Sequence, residues 1–124
     1  MDLHGLRVLV VEDDADCLEL FALILEHCGA KVAAASSVPE AMALVERAEP
    51  AVVVSDISMP GEDGYGLLRR LRECGCAAPT VAVTAFGKEH SRERCLAAGF
   101  RDHLTTPVDP DRLCETVAVL AGAA

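Results

Sequence analysis

Aromatic side chains are scarce in this chain: 124 residues hold no tryptophan, one tyrosine and three phenylalanines. A core must therefore be built from Val, Leu, Ile and Ala. Apolar residues make up 52% of the chain, which is enough for one real core and excludes a disordered segment. Basic residues are also few, 11 against 20 acidic, for a net charge of −9. Nucleic-acid binding draws its affinity from Lys and Arg on phosphates, so no nucleic-acid partner is expected. The acidic balance suits protein partners or a site that holds a cation. No apolar run approaches the roughly 20 residues of a membrane span, so no membrane insertion is expected. Met1-Asp2-Leu3-His4 lacks the basic and long apolar regions of a signal peptide, and a cytoplasmic location is the expectation. The six cysteines, at 17, 28, 74, 76, 95 and 114, follow no disulfide framework, so they are expected as reduced, buried thiols. Cys74-Gly75-Cys76 lacks the CxxC spacing of zinc and redox sites.

What the chain does have is an alternation of short β-branched runs and longer helical patterns. Arg7 to Val11 is a continuous apolar strand, the pattern of a strand covered on both faces. A helix follows from about Asp14 to Cys28, with Leu18, Phe21, Ala22 and Leu25 on one face and Gly29 as its stop. Lys31 to Ala35 is a weaker strand. Ser37-Val38-Pro39-Glu40 reads as a capping box that opens a helix to about Ala48. Further strands are expected at Ala51 to Ser55, Thr80 to Thr84 and about Asp102 to Thr105. Further helices are expected at about Tyr65 to Glu73, Lys88 to Ala98 and Asp109 to Leu120. The expected organisation is one domain over residues 1–124, with a core of about 6–121 and a small tail at 122–124.

Five strand-helix units in sequence imply an α/β fold, a doubly wound parallel sheet with helices on both faces. At this length the flavodoxin-like order 2-1-3-4-5 is the natural candidate. Ligands of such sheets bind beyond the carboxyl ends of the strands, where the order reverses, here between strands one and three. The polar residues collect on that edge: Glu12-Asp13-Asp14, Asp56, Thr84 and Thr105-Thr106-Pro107. Converging carboxylates repel, by about 4 kcal/mol for unit charges about 4 Å apart at an effective dielectric near 20. Either one is protonated or a cation sits among them, and an all-oxygen donor set suits Mg²⁺. Asp14 and Asp16 read as the cap and first turn of helix one, Asp63-Gly64 as a turn into helix three, and Asp109 and Asp111 as caps of the last helix. Tyr65 and Phe100 read as packing groups, and His4, His27 and His90 as surface or helix-end residues.

Four blocks in order make the pattern specific. They are Val8-Leu9-Val10-Val11-Glu12-Asp13-Asp14; Val53-Val54-Ser55-Asp56-Ile57-Ser58-Met59-Pro60 with Asp63-Gly64; Val83-Thr84-Ala85; and Ala98-Gly99-Phe100 through Thr106-Pro107. Over almost its whole length the chain resembles the receiver domain of two-component response regulators. The style of the acceptor block is similar to receivers attached to hybrid sensor histidine kinases. The resemblance implies a signalling domain in a phosphorelay, not an enzyme beyond Mg²⁺-dependent self-phosphorylation and autodephosphorylation. Asp56 would be the phosphoacceptor. Glu12, Asp13, Asp56 and the Ser58 backbone carbonyl would hold Mg²⁺. Thr84 would be the switch hydroxyl, and Pro107 would follow a cis peptide bond. The implied partners are a sensor histidine kinase or phosphotransfer protein, and a second copy docked on the face of helix four, strand five and helix five. The chain carries no output domain, so it is expected as a stand-alone receiver or one excised from a larger protein.

Two positions depart from the family. Thr106 stands where a lysine is usual, and a lysine there contributes a charge-assisted hydrogen bond of about 1.5–3 kcal/mol to the phosphorylated state. Lys88 and Arg101 are the candidate substitutes. His103 replaces the usual aromatic that follows the switch threonine, and Phe86 and Ser58 occupy positions that tune phosphate lifetime. The departure at Thr106 keeps a second reading in play: a degenerate receiver that works as a protein-interaction module. A phosphohydrolase is disfavoured, because it would want a second acid two residues after Asp56, where Ser58 stands.

Overall fold

In the computed structural model, residues 2–85 and 92–122 are described. The strands are β1 (Arg7–Val11), β2 (Lys31–Ala35), β3 (Val52–Asp56), β4 (Thr80–Ala85) and β5 (Asp102–Thr106). The helices are α1 (Ala15–His27), α2 (Val38–Ala48), α3 (Gly64–Glu73), α4 (Arg92–Ala98) and α5 (Pro110–Leu120). All strands pair in parallel in the order β2-β1-β3-β4-β5, as the alternation requires. The element ends lie within a residue or two of the sequence expectation, except at α4, where expected residues 88–91 lie outside the described segment.

The period of two along each strand sorts the core into layers. Val8 and Val10, Val52 and Val54, and Val81 and Val83 face one side, where Phe21 and Leu25 of α1 and Leu113 and Val117 of α5 cover them. Leu9, Val11 and Val53 face the other, under Ala41 and Val45 of α2 and Leu67 and Leu71 of α3. A smaller cluster joins Ile57, Leu68, Ala82, Cys95 and Phe100 under α4. Tyr65 and Phe100 pack edge to face, with ring centroids 5.7 Å apart.

Capping sets where the helices begin, and so where the strand-end loops turn. The Asp14 carboxylate accepts from the Asp16 and Cys17 N–H groups, Asp63 from Gly66, and Asp109 from Asp111. Asp111 is therefore a first-turn residue rather than a cap. At α2, Ser37 accepts from the Glu40 N–H, but the Glu40 carboxylate reaches the N–H and hydroxyl of Ser36, one residue earlier than a capping box predicts. The cysteines are all free, as expected, but only Cys95 and Cys114 are buried; Cys74 is exposed and the rest are half-buried.

Candidate functional site

The three carboxylates do converge. β1 ends at Val11, which pairs with Ser55, so Glu12 and Asp56 leave adjacent strands side by side at the order reversal. Glu12, Asp13 and Asp56 each present an oxygen, all within 4.8 Å of one another. Glu12 is only 6% exposed, Asp56 is half-buried and Asp13 faces solvent. Its own backbone ties Glu12 to the end of β2, through its N–H on the Ala35 carbonyl at 3.0 Å.

Burial pushes the Glu12 carboxyl up to about 8, against its ordinary 4.5, and the Asp56 charge adds to the rise. Asp56 is also raised, chiefly by burial. The two share a hydrogen bond that raises Glu12 and lowers Asp56. Burial thus raises both carboxyls, and the bond between them raises Glu12 further while holding Asp56 back. Asp56 Oδ1 also accepts from the Ser58 N–H at 3.3 Å, and a Glu12 oxygen accepts from the Asp14 N–H at 3.1 Å. Unscreened anionic oxygens in a half-buried crevice are what a hard divalent cation relieves. Three carboxylate oxygens within 4.8 Å of one another are an all-oxygen donor set of the kind that suits Mg²⁺.

The loop after β3 is shaped by glycine. The Gly64 N–H donates to the Ile57 carbonyl at 2.9 Å, which lays the start of α3 against the end of β3. A Cβ on Gly64 would lie 2.7 Å from the Asp56 carbonyl oxygen and 2.9 Å from Ile57 Cα, so no larger residue fits there without moving the acceptor strand.

On the other side of Asp56, β4 brings Thr84. Its hydroxyl is buried and bonds His103 Nε2 at 2.7 Å. Ala82 pairs with His103 across β4 and β5, so Thr84, two residues on, meets the imidazole diagonally on the same face. The Thr106 hydroxyl donates to the Thr84 backbone carbonyl at 3.3 Å, and the Thr106-Pro107 bond is cis. Arg101 precedes β5 and bonds the Thr80 carbonyl through its own N–H. It therefore sits at the amino-terminal edge of the sheet, opposite the crevice, and does not substitute for a lysine at position 106. Lys88, Phe86 and His90 lie outside the described residues.

The direct Thr84–His103 bond and the Thr106 bond to Thr84 were not anticipated from the sequence. Their signal was present in the register, which puts His103 one diagonal from Thr84 once β4 and β5 are aligned.

A five-stranded sheet of order 2-1-3-4-5 with an acidic trio at its reversal point defines a doubly wound domain whose ligand site is anionic and oxygen-rich. The response regulator receiver domain matches this chain over residues 8–118, and the chain belongs to that family. It is 44% identical over 117 residues to an uncharacterized 14.6 kDa protein of Leptolyngbya boryana, covering 93% of this chain and 89% of that one. It is 35% identical to protein PilH of Pseudomonas aeruginosa, covering 94% and 98%. It is 34% identical to sensor histidine kinase RcsC of Salmonella typhi, but spans only 12% of that protein's length. Among solved structures, the receiver domain of the Francisella response regulator 1452 superposes with a TM-score of 0.86 at 29% identity, covering 95% of this chain and 98% of that one. Among the described residues no helix is long and apolar enough to cross a membrane.

Proposed function

We propose that this receiver accepts a phosphoryl group on Asp56 from a phosphohistidine of a sensor histidine kinase or phosphotransfer protein. The observation that carries this reading is the convergence of Glu12, Asp13 and Asp56 at the order reversal. An Asp56 carboxylate oxygen attacks phosphorus, the N–P bond breaks, and the imidazole leaves. The hydrogen bond from Glu12 lowers Asp56 and so favours its carboxylate, the form that attacks. Glu12, Asp13, Asp56 and the Ser58 backbone carbonyl would hold Mg²⁺, which supplies charge neutralisation for the transferring oxygens. The Ser58 N–H orients the acceptor. Thr84 is the switch hydroxyl. It starts bonded to His103, so its turn toward a phosphoryl oxygen would give up that bond. The chain acts as a signalling domain rather than a turnover enzyme, with residues 1–124 as one receiver unit in the cytoplasm. A second copy would dock on the face of α4, β5 and α5.

Incubation with acetyl phosphate and Mg²⁺, followed by intact mass and peptide mapping, tests the acceptor. One added phosphoryl group on the Asp56 peptide, absent in Asp56→Asn, supports the reading. No Asp56-dependent adduct with Mg²⁺ present rejects it.

A specific observation favours a second reading, a receiver with weak coupling between phosphorylation and shape. Thr106 spends its one hydroxyl donor on the Thr84 carbonyl and brings no positive charge. Thr106→Lys distinguishes the two. A large gain in the acetyl phosphate response of the variant supports weak native coupling, and no gain supports the phosphoacceptor switch as it stands.

A further inference from the structure

Cys28 and Cys114 lie 86 residues apart in sequence, yet their sulfurs are 2.9 Å apart, where the C-cap of α1 meets α5. That is nearer than the roughly 3.5–4.0 Å at which even unbonded carbon atoms settle. Neither residue takes part in the acidic crevice. Cys114 is buried, and its thiol also points toward the Ile24 carbonyl, 3.8 Å away. Cys28 is half-buried. An open groove of about 410 Å³ reaches both, walled by Leu23, His27, Pro110 and Asp111. Two thiols in contact, one of them reachable from solvent along a groove, make a site for thiol–disulfide exchange.

The geometry points to Cys28 and Cys114 as a redox-modification site, in which a small disulfide of the glutathione class enters the groove and converts the two thiols into a reversible intramolecular disulfide. The order of events follows from exposure. The Cys28 thiolate attacks one sulfur of the small disulfide; a mixed disulfide forms, and the first small thiolate leaves and takes a proton. Cys114 then loses its proton to solvent and attacks the Cys28 sulfur, forming the Cys28–Cys114 bond and expelling the second small thiolate. Two protein thiols are oxidised by two electrons, and one small disulfide is reduced to two small thiols. Forming the bond brings the sulfurs from 2.9 Å to the roughly 2.04 Å of a disulfide. Burial and the contact with Cys28 hold the Cys114 thiol up to about 12, which suits it to the second, intramolecular step rather than the first. The product is a covalent tie between the end of α1 and α5.

The test uses the full chain with oxidised glutathione, acid quenching, alkylation and non-reducing peptide mapping. The expected result is loss of two titratable thiols, a linked peptide pair holding Cys28 and Cys114, and full reversal by dithiothreitol. Cys114→Ala should stop at one glutathione on Cys28. Cys28→Ser, at the less buried position, should leave Cys114 unmodified, and far-UV circular dichroism confirms that each variant is folded. Formation of the same disulfide content in Cys28→Ser overturns the proposal. So does a wild-type product in which Cys28 and Cys114 stay reduced while Cys74 or Cys76 is oxidised.

Discussion

Mg²⁺ binding should be coupled to the release of one proton from Glu12. In the metal-free protein this carboxyl is raised to about 8 by burial and by the Asp56 charge. At pH 7 it is then about 90% protonated, and a cation that needs its carboxylate must displace about 0.9 proton. Apparent Mg²⁺ affinity should therefore rise by up to about tenfold per pH unit from roughly pH 6 to 8 and level off above. Stability obeys the same linkage. Between the ordinary 4.5 and about 8 the folded chain binds a proton at Glu12 that the unfolded chain does not. The metal-free protein must then lose stability as pH rises through that window, by at most on the order of 5 kcal/mol at about 1.4 kcal/mol per unit. Glu12→Gln keeps a neutral hydrogen-bond donor beside Asp56 and should remove the Glu12 share of both slopes, leaving only what the raised Asp56 contributes. Isothermal titration calorimetry in buffers of different ionisation enthalpy counts the protons, and urea titrations at pH 5 to 9 measure stability. A Mg²⁺ affinity that is constant from pH 6 to 8, with no proton released, would refute the reasoning.

Three further outcomes are expected. Gly64→Ala places a Cβ against the Asp56 carbonyl and Ile57 Cα, and should cost about 1–3 kcal/mol in urea unfolding while weakening Mg²⁺ binding, because the atoms that must yield belong to the acceptor strand. His103→Phe removes the Nε2 partner of a buried hydroxyl and should cost about 1–3 kcal/mol; adding Thr84→Val should recover much of that loss in a double-mutant cycle. Asp14→Ala deletes the cap that holds two N–H groups of α1 and should cost about 1 kcal/mol, read as a lowered Tm with phosphorylation of Asp56 unaffected.

The strand order and the acidic trio were legible because they rest on long-lived patterns. Val8 to Val11 and Val52 to Val54 are apolar on both faces, which only a covered parallel sheet allows, and parallel connections leave one carboxyl edge for Glu12, Asp13 and Asp56 to share. The caps at Asp14 and Asp109 were legible from local sequence, and Asp63 was legible as the entry to α3, though not as its cap. What stayed hidden depends on register and on sequence-distant approach. The Thr84–His103 bond needs the β4–β5 alignment, the Glu40 contact slid one residue to Ser36, and Cys28 meets Cys114 only when α1 and α5 pack on one face. Arg101 was a candidate at the site until its position before β5 put it on the opposite edge.

The composition of the crevice also bears on how the domain folds. Its groups come from residues 12–13, 56, 84 and 106, and each pair of strands that delivers them joins distant segments, as when Val8 pairs with Val52 and Val53 with Thr80. Such non-local pairing is slow, because loop closure is unfavourable until the contacts form. No partly folded form that lacks the β1–β3 pairing has Glu12 beside Asp56. A ligand held by Glu12 and Asp56 therefore binds only forms in which β1 and β3 are paired and, by mass action, draws the population toward them. The crevice and the β1–β3 pairing thus form in one step of folding.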